Sequence, residues 1–281
     1  MPEKLSDCIK RIMLAHRSQT GAHCRLNPLF RYSPLCLIIL ALTVCNYPNP
    51  AQAQPLQGRI EHSQKLPAVN KLLKPGIHYD ETANKPMSNA WVRIPTWLAG
   101  VWATKEETAV FRENYQSGLN SREHRTFTAK SKFAYGKQVD KTGQIWHYVG
   151  VPYTSDTQMS GQIEYHQVLD KSVTQQSANK VAVRTKVIVI KVRKPSGSIA
   201  ETYQQESITV YTFNPAEDQI NMESSTKAFG ADGKPISLTR NLARIHRVSA
   251  FAVVDEEYGR DLKSLFHQYL LAQGLAALVP E

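Results

Sequence analysis

Between residues 122 and 254 the chain is a succession of strand-length runs with no helical period between them, and this limits the fold more than any other feature. Residues 122–135 alternate. Phe127, Ala129, Phe133 and Tyr135 share one face, and His124, Thr126, Thr128, Lys130 and Lys132 share the other, the period of a half-buried strand. Asp140-Lys-Thr-Gly143 then reads as a turn whose glycine supplies a positive φ. Strand-like runs recur at 144–149, 162–174, 181–192, 199–213, 219–229 and 237–254. The segments Ser-Ala-Asn-Lys, Lys-Pro-Ser-Gly, Asn-Pro-Ala-Glu-Asp and Gly-Ala-Asp-Gly-Lys-Pro separate the later ones, each rich in residues that favour turns. Strands joined by short turns pair antiparallel with their chain neighbours. An open meander leaves two unpaired edges, and closing it removes both. The expected fold class is therefore all-β, an antiparallel up-and-down β-barrel over residues 91–254, with a two-sheet sandwich as the second architecture.

The two ends differ from this middle. From Asp255 onward, Tyr258, Leu262, Leu265, Phe266 and Tyr269 fall on one helical face. With Asp255 as N-cap and Pro280 beyond the end, a C-terminal α-helix over about 256–276 is expected to pack on the barrel. Residues 54–90 are polar, contain four prolines and hold no period, so they read as an extended arm or linker. Residues 1–53 have the parts of a secretory leader: a basic stretch, the apolar run from Leu35 to Cys45, and Ala51-Gln-Ala53. Eleven apolar residues are too few to span a bilayer as a helix, which needs about 20. A rival reading is a lipoprotein box at Leu42-Thr-Val-Cys45, which would tether the protein through Cys45.

All four cysteines (Cys8, Cys24, Cys36 and Cys45) lie in this leader, so a chain beginning at Gln54 has no disulfide, thiolate metal site or thiol nucleophile. Removing the leader leaves 28 Lys and Arg against 22 Asp and Glu, a mild excess of +6. The tight cluster Lys191-Val-Arg-Lys194 adjoins a turn and lacks interleaved aromatics, which argues against nucleic-acid binding.

Three of the four tryptophans fall within Trp91-Val-Arg-Ile-Pro-Thr-Trp97-Leu-Ala-Gly100-Val-Trp102. A glycine there lets the chain bend sharply, and a large ring can fill a narrowing barrel end beneath an arginine. Gly100-Val-Trp102 at the first long strand, with arginines on the last strand and a terminal helix, resembles the signature of the calycin group, the lipocalins and their relatives. The resemblance implies a barrel closed at Gly100, Trp102 and a late-strand arginine. Alternation over 237–248 ranks Arg244 first, then Arg240, with Arg247 last because it points the other way.

No metal-binding histidine spacing, Gly-x-Ser-x-Gly, P-loop or dinucleotide glycine pattern occurs, so neither a catalytic residue, a metal nor a cofactor is assigned. His124 and His166 are placed on solvent faces, and Glu164 and Asp170 read as surface charge. Arg125, just beyond Phe127 on the apolar-parity face, is the candidate for an anionic headgroup, with Phe127, Tyr135 and Trp146 lining the ligand site. The expected function is an exported β-barrel protein that binds a small apolar or amphipathic ligand. The alternative is an envelope scaffold or interaction module with a filled barrel, whose arm is the contact segment; an enzyme ranks third. The leader predicts a mature N-terminus at Gln54 or its cyclised form, read by intact mass of the exported protein. A diacylglyceryl adduct on Cys45 would instead establish a lipoprotein.

Overall fold

The computed structural model describes residues 61–80 and 87–280; the leader at 1–53 with its Ala51-Gln-Ala53 site and Cys45, and the start of the arm at 54–60, lie outside the described residues. The strands in chain order are β1 (Trp91–Arg93), β2 (Gly100–Asn114), β3 (Asn120–Ser121), β4 (Arg125–Tyr135), β5 (Gln138–Val139), β6 (Ile145–Tyr148) and β7 (Tyr153–Met159). They continue with β8 (Gln162–Ser177), β9 (Lys180–Arg193), β10 (Ile199–Asn214), β11 (Gln219–Gly230), β12 (Pro235–Ser249), β13 (Glu256–Glu257) and β14 (Arg260–Asp261). One α-helix follows, α1 (Leu262–Ala272). The fold is mostly antiparallel β, with 57% of the described residues in strands against 8% in helices, as the turn-separated runs predict.

The main sheet has the order β4–β2–β12–β11–β10–β9–β8–β7, with β3 sharing the outer edge of β2 with β4. The first and last long strands, β2 and β12, are therefore hydrogen-bonded neighbours. No ladder joins β4 to β7 among the described residues, so hydrogen bonding leaves the sheet open there. The sheet is nevertheless curled. Four strand steps separate β4 from β10, roughly 19 Å on a flat sheet, yet the Tyr135 and Tyr211 hydroxyls lie 2.8 Å apart. The face that carries both rings is concave. A strip of β1, β6 and β5 lies at the opening. From it, His147 meets the Tyr135 ring of β4 at 5.4 Å between centroids and the Lys171 amine of β8 at 3.1 Å.

One end of the concave face is a packed floor of Leu98, Trp102, Tyr135, Val181, Tyr211 and Ile245 with their neighbours. Trp102 has no accessible surface, and its Nε1 donates to the Leu98 carbonyl at 2.8 Å. Gly100 has φ +122, and a Cβ there would stand 2.7 Å from the Ser249 carbonyl oxygen, so the close approach of β2 to the end of β12 requires glycine. The guanidinium over the Trp102 ring is that of Arg247, 4.2 Å from the centroid, and not that of Arg244. Arg247 also donates to the carbonyls of Ala99 and Trp97. The expectation failed because alternation was counted from Leu238 and Leu242 as inward residues. In β12 the inward residues near the floor are Ala243, Ile245 and Arg247, while Leu242 and Arg244 are exposed. Arg247 is the direct partner of Trp102 in the β12–β2 ladder, whose register shifts three times along its length.

Residues 61–79 do not form a free linker; they lie across the opposite face of the sheet. Glu206 of β10, fully buried, accepts hydrogen bonds from the Ser63 amide at 2.6 Å and the Ser63 hydroxyl at 2.9 Å. His62 and Arg184 complete its shell, each at 3.1 Å. Burial pushes the Glu206 carboxyl up, but the bonds from Ser63 and the charge of Arg184 outweigh it and hold the group below its ordinary value. Further along, Leu66 and Val69 donate to the carbonyls of Gly233 and Ala231 in the β11–β12 turn. A Cβ on Gly233 would fall 1.8 Å from the Leu66 carbonyl oxygen, so this crossing also requires glycine. Val69, Leu73 and Tyr79 then cover Tyr165, Ile188, Ile190 and Ile199.

The helix begins later than Asp255. Tyr258 (φ 53) and Gly259 (φ 69) turn the chain between β13 and β14, and Asp261 caps α1 by accepting from the Ser264 amide at 2.8 Å. Tyr258 is exposed, and the buried face is Leu262, Phe266 and Leu270. Gly274 ends the helix with paired bonds, Gly274 to the Leu271 carbonyl and Leu275 to the Leu270 carbonyl. The helix packs on the outward side of the strip, against Trp91 and Trp146.

Trp102→Ala is expected to destabilise by about 3–5 kcal/mol. A double-mutant cycle should give Trp102 and Arg247 a coupling of about 1–2 kcal/mol, and Trp102 and Arg244 a coupling near zero. Denaturant melts that reverse this order would overturn the assignment.

Candidate functional site

Above its apolar floor the concave face is polar, and the ladders show how. Directly paired residues point the same way, so each row of partners crosses the face as a band. Nearest the floor, Val181, Tyr211, Met222 and Ala243 form one such row. Further from the floor, Lys171, Thr185, Ser207, Thr226 and Thr239 form another, all half-buried. The Ser207 and Thr226 hydroxyls share a hydrogen bond of 3.0 Å. Nearer the rim, Ser155 pairs with His166 and Thr157 with Glu164. His166 and Glu164 are both buried, joined by a 2.8 Å bond from Nε2 to Oε1. Tyr203 lies in the same row as His166, and burial, aided by the charges of Glu164 and Glu201, raises its phenol far above the ordinary range.

Several of these groups lack partners. Glu107 Oε1, Ser131 Oγ, His147 Nδ1, Ser155 Oγ, Thr157 Oγ1 and His166 Nδ1 are buried with no hydrogen-bond partner among the described residues. All six face the concave side. Each such atom costs about 1–3 kcal/mol unless something outside the chain satisfies it. Six on one face define a surface suited to a polar guest. Glu107 is 3% exposed, and burial raises its carboxyl above the ordinary value of 4.5, opposed only by a 3.1 Å bond from Asn241.

Lys171 donates to His147 Nε2 at 3.1 Å, which leaves the proton of that neutral ring on the unpartnered Nδ1. Burial holds His147 well below its usual pKa, helped by the charges of Lys171 and Lys137. Burial likewise lowers Lys171 to about 8, with Lys137 adding to it and Glu257 opposing it.

Of the sequence-assigned ligand residues, two face this surface. Tyr135 stands in the floor, and Phe127 is half-buried as the partner of Glu107. Arg125 keeps the predicted parity but is exposed at the end of β4. Trp146 points away from the concave face, into the packing beneath α1, where its Nε1 donates to Asp140 at 2.9 Å. Arg244 lies on the outer face, in a groove of about 790 Å³ that Lys105, Glu223 and His246 also line. His124 is exposed as expected, but His166 and Glu164 are not surface residues. The alternation of β8 was legible, with Ile163 and Tyr165 on one face and Glu164 and His166 on the other. Taking the apolar side as inward was wrong, because the arm covers Ile163 and Tyr165 from outside.

Chemically, an imidazole held by a carboxylate beside a hydroxyl has the composition of a general-base site. Ser155 Oγ makes no hydrogen bond to His166 among the described residues. Among the described residues, no cluster of three or more His, Cys, Asp or Glu is placed to hold a metal, and no helix is long and apolar enough to cross a membrane.

A carboxyl with a raised folded-state pKa holds a proton that the unfolded chain has already released. Stability is therefore lost as pH rises from 4.5 through the folded-state value. Glu107→Gln should relieve this and stabilise the protein at pH 7 by on the order of 1 kcal/mol, with no gain at pH 4. Thermal melts at the two pH values check it, and a loss at pH 7 would refute it. The chain matches no protein-family model, and neither a curated protein nor a solved structure matches it.

Proposed function

We propose that this is an exported binding protein that holds a small amphipathic ligand on the concave face of an incompletely closed, calycin-like β-barrel. The carrying observation is the six partnerless polar atoms ranged above an apolar floor. A ligand with a polar part and a short apolar part satisfies both, whereas a wholly apolar one would leave the polar atoms unpaired. Curling of the main sheet and the Arg247 contact on Trp102, next to Gly100, support the calycin-like reading. The leader at 1–53 supports export. Residues 61–79 of the arm at 54–90 are engaged on their own sheet, which favours ligand binding over the scaffold alternative.

A native mass spectrum of the full protein from its own source should show a bound small molecule that organic solvent releases. Ser155→Ala with Thr157→Val should weaken its rebinding by about 2- to 10-fold per lost hydrogen bond, with the melting temperature kept or raised. A ligand-free spectrum, with no small amphiphile binding in titration, would return the scaffold reading.

A further inference from the structure

Among the described residues, the concave face carries one half-buried cation without an ion pair. Lys191 and Arg247 are held by Glu201 and Asp218. Lys137, beside the opening, is paired with Glu257. Arg125, and Arg112 of β2 beside Thr239, are exposed, so water solvates them. Lys171 differs from all of these. It is half-buried, it forms no ion pair among the described residues, and its partner is the neutral, uncharged side of His147. It also ends the row of hydroxyls that runs through Thr185 and Ser207 to Thr226.

We propose that Lys171 and the adjoining hydroxyl row seat an anionic headgroup, a carboxylate or a phosphate, of the ligand bound on the concave face. This rests on the ligand-binding reading above and assigns the charge and position of the ligand's polar end. An ammonium removed from bulk water without a counter-charge is costly, and an anion within hydrogen-bond reach offsets that cost. Hydroxyls beside it donate to the remaining oxygens without competing charge. Lys171 as a residue is half-buried, and the Tyr211–Met222 row lies on the floor side, where a short apolar tail can follow.

The charge state of Lys171 sets a pH signature. The charged and titratable groups facing it are His147 from β6, Lys137 from the turn before β5 and Glu257 from β13. His147 is held neutral, and the other two form an ion pair. Lys171 alone then changes charge near pH 8. Anion binding requires its proton, so affinity should be level below that pH and fall above it, with proton uptake on binding near pH 8.

The test uses the full-length protein with three probes of one chain length: decanoate, decyl phosphate and decanol. At pH 7 at least one anion should bind about 10- to 100-fold more tightly than decanol, and the preference should shrink at pH 9.5. Lys171→Met should abolish that preference while the folded protein still binds decanol. Lys171→Arg should keep most of it, and Arg125→Met should leave it intact. The stronger of the two anions identifies the headgroup. An anion preference that survives Lys171→Met, or decanol binding equal to both anions in the wild type, would overturn the headgroup site while ligand binding stands. Binding of none of the three would remove both.

Discussion

Glu206, without accessible surface and held by Ser63, His62 and Arg184, fixes the arm at 61–79 to the outer face of the sheet. The rest of the architecture depends on this cover. Strands β8 to β10 carry Tyr165, Ile188, Ile190 and Ile199 outward, and an exposed band of that kind would be an association surface. With the arm in place those residues form a second core. The inner face of the same strands is then released from the need to be apolar.

That release explains how an eight-strand-wide sheet can present hydroxyls, an imidazole and two buried glutamates to its own interior. The floor around Trp102, Tyr135 and Tyr211 supplies the packing that keeps the curl. Above the floor, stability is given up. Partnerless atoms and a glutamate held partly against ionisation are destabilising features that a purely structural interior would have replaced with apolar side chains. Six of the partnerless atoms lie on one concave face, where the proposed ligand would pair them; Arg184 Nε, Arg240 Nε and His267 Nε2 lie elsewhere.

Among the described residues no ladder closes the side between β4 and β7. The β1–β6–β5 strip turns Trp91 and Trp146 outward under α1 and His147 inward between Tyr135 and Lys171. One short strand thus joins the helix, the floor and the polar face, and the burial of His147 fixes the electrostatics of its lysine neighbour.

Local patterns determined much of this from the sequence alone. Turn residues and period-two alternation marked the strands, Gly100 and Trp102 marked the packed end, and Phe266 with its neighbours marked the terminal helix. These features depend on residues close in the chain. Alternation separates two faces but does not say which is inside, and β8 was assigned backwards because its cover comes from residues about a hundred positions earlier. In β12 the residues taken as inward, Leu238 and Leu242, belong to the outer face, so the inward arginine is Arg247 and not Arg244. Trp146 looked like a ligand residue by its position and became a packing residue once α1 lay on it. The site itself, with Glu164, His166, Ser155, Thr157 and Lys171 together, exists only through cross-strand register and curl, because burial and charge neighbours are properties of the folded sheet and not of any segment.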